Sequence, residues 1–265
     1  MWGGLAALTV LGAAGFAAVG WASPSAGGTD TDARSVPTKG AESSPGSARP
    51  SHTATTTPPR PSASSSAGPS GRPSQPDIPT SGPGTFTTAS GGSGTVGKGK
   101  TLRYRVDVED GLDLSSGEVA AEVERILADR RGWTTDGRSA FQRVSSGATD
   151  FAVRVATAGT VDKICGQYGL DTGGEVNCSV GQNVMVNLKR WELATPVYAK
   201  DVTAYRALII NHEVGHFLGQ GHVGCPGKGQ PAPAMMQQIK GMNGCVPNVW
   251  PYDEKGRYVT GPALS

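Results

Sequence analysis

Apolar and polar residues alternate from Leu102 to Val108, with Leu102, Tyr104, Val106 and Val108 apolar and Arg103, Arg105 and Asp107 between them. A period of two predicts a strand buried on one face. Ser115 or Ser116 can cap a following helix that has Glu118 in its first turn and Val119, Val123, Ile126 and Leu127 at helical spacing. Gly132 marks its end. Ala140–Val144 and Phe151–Val155 read as strands joined by a Ser/Gly/Thr/Asp turn, Glu175–Val180 as a short strand and Asn183–Leu188 as another. Asp201 is placed to cap a long helix over Val202–Leu218. The order β-α-β-β-β-β-α predicts an α/β (α+β) domain, a mixed sheet carrying two main helices. The last 45 or so residues show no periodicity and read as an irregular part held by cysteines and prolines.

No such pattern exists before position 100. Trp2–Ala22 carries no charge and is long enough to cross a bilayer or to serve as a secretory signal cleaved after Ala22. Both readings place the rest of the chain outside the cytoplasm, secreted or anchored at the surface, with residues 1–22 the only membrane contact. Twelve of the nineteen prolines lie between Ser23 and Lys98, with one aromatic, Phe86. Such a segment buries too little apolar surface to offset its ordering entropy, so residues 23–99 read as a disordered Ser/Thr/Pro/Gly linker. As a flexible coil it would span roughly 50 Å. The folded unit is then 100–265, long enough for one core. Residues 101–265 carry seventeen Lys/Arg against eighteen Asp/Glu, without a basic block, so nothing points to nucleic acid.

The four cysteines are Cys165, Cys178, Cys225 and Cys245. An even number in an exported domain suggests disulfides. Of the three pairings, Cys165–Cys178 with Cys225–Cys245 closes the shortest loops and is the one expected.

Chemistry concentrates in His212-Glu-Val-Gly-His-Phe-Leu-Gly-Gln-Gly-His222, which holds three of the four histidines; His52, in the linker, has no partners. His212 and His216 lie one helical turn apart on one face and converge on one point. Gly219 can take positive φ, end the helix and let His222 approach from the side. Three neutral imidazoles suit Zn²⁺ and leave a fourth position for water, and Glu213 can reach the space beside that point.

This segment resembles the HExxHxxGxxH signature of the metzincin zinc peptidases. Residues 100–252 are also similar to an uncharacterised family of exported actinobacterial proteins with a metzincin-like domain. The resemblance implies a metzincin-like fold and a methionine turn beneath the metal, for which Met236 is the better candidate and Met235 the second. It further implies an edge strand near Glu175–Val180 that pairs with an extended substrate. Two departures stand out. Gln238 occupies the place where several subfamilies have an oxyanion-binding Tyr, and Val223 follows the third His. The implied function is an exported zinc endopeptidase with a peptide or protein substrate, a zinc-activated water and Glu213 as general base. The alternatives are a non-catalytic zinc-containing surface module and a cell-wall amide hydrolase. Asp107-Val-Glu-Asp110 reads as a solvated strand end, and Trp133, Trp191 and Trp250 as core or rim packing.

Overall fold

The computed structural model describes residues 77–264. The hydrophobic segment Trp2–Ala22, the linker up to residue 76 and His52 lie outside the described residues. Among those described, no helix is long and apolar enough to cross a membrane.

Seven strands and four helices follow one another: β1 (Phe86–Thr88), β2 (Val96–Gly97), β3 (Lys100–Glu109), α1 (Ser116–Leu127), β4 (Ser139–Arg143), β5 (Phe151–Ala156), α2 (Ala158–Gly166), β6 (Cys178–Val180), β7 (Asn183–Asn187), α3 (Leu188–Leu193) and α4 (Val202–Phe217). The sheet order is β2-β4-β3-β5-β7-β6, with β1 also on β3. Strand β3 runs parallel to β4 through Lys100–Tyr104 and parallel to β5 through Tyr104–Val108. Strand β7 is parallel to β5, and β6 turns back antiparallel along β7 at the sheet edge. The expected α+β class is what the chain adopts.

The alternation in β3 separates two layers. Leu102, Tyr104, Val106 and Val108 face a core shared with Val119, Val123 and Ile126 of α1 and Ile210 and Val214 of α4. Met185 and Ala156 face the other way, onto Val161 and Cys165 of α2. Asp107 and Glu109 also belong to that second face. Both are 1% exposed, which corrects the expectation of a solvated strand end. Asp107 accepts from Thr88 Oγ1 (2.8 Å), Arg105 Nε (2.9 Å) and Arg154 Nε (3.1 Å). Glu109 accepts from the Thr157 N–H (2.7 Å), the Gly84 N–H (2.8 Å) and Thr160 Oγ1 (2.5 Å). Thr157 is the N-cap of α2 and its own side chain makes no capping bond. Glu109 supplies that cap from another strand, and its charge complements the positive end of the helix.

Several boundaries differ from the sequence reading. Residues 77–99, assigned to the linker, include β1 and β2. Strand β1 pairs antiparallel with β3 over Phe86–Thr88 and β2 pairs with β4. Their backbone groups complete the sheet, and backbone pairing needs little from the side chains. Helix α1 stops at Leu127 rather than near Gly132, because Asp129 Oδ1 accepts from the Arg131 N–H and competes with the helical bond. Strand β7 ends at Asn187, whose side chain accepts from the Lys189 N–H and starts α3. Strand β6 begins only at Cys178, because Thr172–Val176 is a turn with Gly173 and Gly174 at positive φ.

Both disulfides form in the expected pairing, Cys165–Cys178 and Cys225–Cys245. The first ties the edge strand β6 to α2. The second closes a loop with a sequence separation of 20 that contains Met235 and Met236. That closure contributes about 3 kcal/mol in the chain-entropy account. The part after α4 is irregular, as expected, with isolated bridges such as Val223 to Ala263.

Candidate metal centre

Helix α4 presents the site, and its ends are fixed locally. Asp201 accepts from the Ala204 N–H (2.8 Å) at the start. At the end the Gly219 N–H donates to His216 O and the Gln220 N–H to Gly215 O (2.9 Å each), with Gly219 at φ +85. This is a Schellman turn, which only a residue tolerant of positive φ closes without strain. Midway, Trp133 Nε1 donates to Asn211 O (2.8 Å). Gly215 allows the close approach of Trp133 and Met235, since a Cβ there would overlap Met235 Sδ and Trp133 Cζ2. Trp133, Trp191 and Trp250 are all buried.

The three histidines meet. Their Nε2 atoms are 3.1 Å apart for His212–His216, 3.0 Å for His216–His222 and 3.3 Å for His212–His222. Two carbonyls fix the tautomers. His212 Nδ1 lies 2.8 Å from Ala234 O and His216 Nδ1 2.9 Å from Gln220 O. A carbonyl only accepts, so both Nδ1 atoms carry hydrogen and both Nε2 atoms present lone pairs. Lone pairs aimed at one another across 3.1 Å repel, and a cation between them removes the repulsion. Burial pushes the His212 pKa down to about 3, with the His216 charge adding to the effect. Burial also lowers His216 and His222. The cluster is thus held neutral, the state in which imidazoles bind a metal ion. Among the described residues this is the group of three placed to hold one.

The third histidine is braced from behind. The Leu264 N–H donates to His222 O (3.1 Å) and the Gly224 N–H to Pro262 O (2.7 Å), so the segment 262–264 pairs with 222–224 as a short antiparallel ribbon.

A cavity of about 500 Å³ opens on the cluster. One wall comes from Leu170–Thr172 and Val176–Ser179, which include the start of edge strand β6; the other is α4 with Met236–Ile239. Glu213 lines it, is 5% exposed, and has its pKa pushed up to about 8 by burial. Met236 lines the cavity beside the histidines, whereas Met235 sits 1% exposed in the main core against α4. Gln238 is buried with its amide committed: Nε2 donates to Asn248 O (2.8 Å) and Pro233 O (3.2 Å), and Oε1 accepts from the Tyr198 hydroxyl (2.6 Å).

Sequence reasoning missed Tyr205, Leu208 and Ile239 as cavity walls. The first two carried a signal, because they precede His212 by seven and four residues and so share its helix face.

The fold and site define an α+β domain whose long helix delivers a neutral three-histidine cluster to an open cleft. The chain belongs to the family described as "Protein of unknown function (DUF3152)", which matches residues 72–253. No curated protein and no solved structure matches it.

Proposed function

We propose that the domain is an exported zinc-dependent endopeptidase of metzincin type, with His212, His216 and His222 holding Zn²⁺ and Glu213 acting as general base. The observation that carries the reading is the triangle of Nε2 atoms, with edges of 3.0, 3.1 and 3.3 Å. Three nitrogens at Zn–N distances of about 2.0–2.1 Å and tetrahedral angles lie roughly 3.3 Å apart. A carboxylate lines the same cavity, and a purely structural zinc has no use for it.

Zinc bound there would lower the pKa of water to about 7 and polarise the peptide carbonyl. His212 and His216 keep their Nε2 lone pairs on the metal side because Ala234 O and Gln220 O hold the Nδ1 hydrogens. Glu213 takes the proton of the attacking water on a carboxylate oxygen and passes it to the leaving amine nitrogen. Burial alone favours the protonated carboxyl, and a zinc ion held by the histidines would act the other way, favouring the carboxylate that accepts the proton. Edge strand β6 lines the cleft and offers its free backbone edge to an extended peptide. Met236 lines the same cavity, in the place the methionine turn would take. Gln238 contributes no donor, since its amide is already used within the protein.

The two disulfides agree with a location outside the cytoplasm. The test is cleavage of an unstructured protein such as casein, abolished by a chelator and restored by zinc. Casein left intact by zinc-loaded protein would favour the non-catalytic surface module. The ligand set has its own check. His222→Ala is expected to weaken zinc binding roughly a hundredfold or more, as the loss of one of three donors implies. Metal analysis showing full occupancy in that variant at equal free zinc would remove His222 from the set.

A further inference from the structure

The cavity does not end at the histidines. Tyr205 lies seven residues before His212, on the same face of α4 and about 10 Å along its axis. It is 3% exposed and lines the cavity. Leu208, Ile209 and Ile239 form apolar wall between the two levels. The neighbouring Tyr198 hydroxyl bonds to Gln238 Oε1 (2.6 Å) and Asn248 O (3.4 Å), but the Tyr205 hydroxyl has no hydrogen-bond partner among the described residues. It is not sealed off, because Asn211 Oδ1 is the one fully enclosed side-chain atom there without a partner. Tyr205 thus brings to the cavity wall a hydroxyl that is neither paired within the protein nor fully enclosed. Arg190, the cation whose field reaches Tyr205, is already bonded to Ala194 O and paired with Glu175.

We propose that this pocket selects a substrate residue with a long apolar stem and an uncharged hydrogen-bonding tip, tyrosine foremost, and that Tyr205 is the residue that reads the tip. An apolar stem fits Leu208, Ile209 and Ile239. An anionic tip finds no free counter-charge beside Tyr205, because Arg190 is already bonded and paired, and a cationic tip would be drawn to Glu213 or Asp171 on the cavity wall rather than to the hydroxyl. A phenyl ring would displace water and leave the Tyr205 hydroxyl unpaired, and a site built around a hydrogen bond rejects the analogue that lacks it. The place of this residue beside a scissile bond rests on the endopeptidase reading; the binding preference does not.

The experiment is an NMR titration of the zinc-loaded full chain with N-acetyl-tyrosinamide and with N-acetyl-phenylalaninamide. The tyrosine amide is expected to bind about fivefold more tightly, the worth of one net hydrogen bond. In Tyr205→Phe the two amides are expected to bind equally, with the phenylalanine amide unchanged. Equal binding to the parent, or a preference that survives Tyr205→Phe, overturns the proposal. Preference without casein cleavage upholds the pocket and removes the peptidase; cleavage without preference does the reverse.

Discussion

Glu213→Gln is expected to leave zinc bound and to lower peptide hydrolysis by about 10²–10⁴-fold, the range a positioned general base contributes. The substitution keeps the shape of the side chain and removes only the ability to take a proton. Ala234 O and Gln220 O orient two of the three metal-facing rings, His212 and His216, and Leu264 holds the backbone of the third, so none depends on Glu213 and the cluster should not rearrange. Metal content by mass spectrometry and casein turnover, measured on one preparation, check both halves. Undiminished turnover would remove Glu213 from the chemistry. Lost zinc together with lost turnover would show that the carboxylate supports the metal instead.

The second large effect is on stability. Glu109→Ala leaves the Thr157 N–H, the Gly84 N–H and the Thr160 hydroxyl facing a void in a region that is 1% exposed at Glu109. At about 1–3 kcal/mol for each stranded donor, some of it relieved by water entering the gap, the loss should be about 4 kcal/mol. For a domain of this size that corresponds to a Tm lower by roughly 10 °C. Proteolysis should also begin earlier near Gly84, because the N-terminal segment loses one of its anchors. Thermal melts within about 2 °C of the parent would mean that the carboxylate is replaceable by solvent.

Glu109 also shows where the sequence stops being readable. Helix α4 was legible because its signals are local: Asp201 at one end, Gly219 at the other and histidines one turn apart between them. The two disulfides were legible because short loops close with the least entropy. Helix α2 was not, since its N-terminal cap comes from Glu109, 48 positions away. Strands β1 and β2 were hidden in Ser/Thr/Pro/Gly-rich sequence, where the sheet borrows backbone and ignores composition. Strand order is likewise beyond local pattern, because parallel neighbours such as β3 and β5 are separated by a helix and another strand. At the site, the histidines and Glu213 stood out by type and spacing, and Met236 was favoured over Met235 only through the resemblance. The spacing of Tyr205 put it on the same helix face as His212, but its unpaired hydroxyl is a matter of packing that the sequence does not carry.

The ribbon behind His222 has a practical consequence. Leu264 holds the backbone of His222 through its N–H, so the third imidazole depends on a pairing that lies outside the helix. Leu264→Pro would remove that donor without altering any imidazole. Comparing the metal affinity of this variant with that of the parent would report how much of it the ribbon supplies.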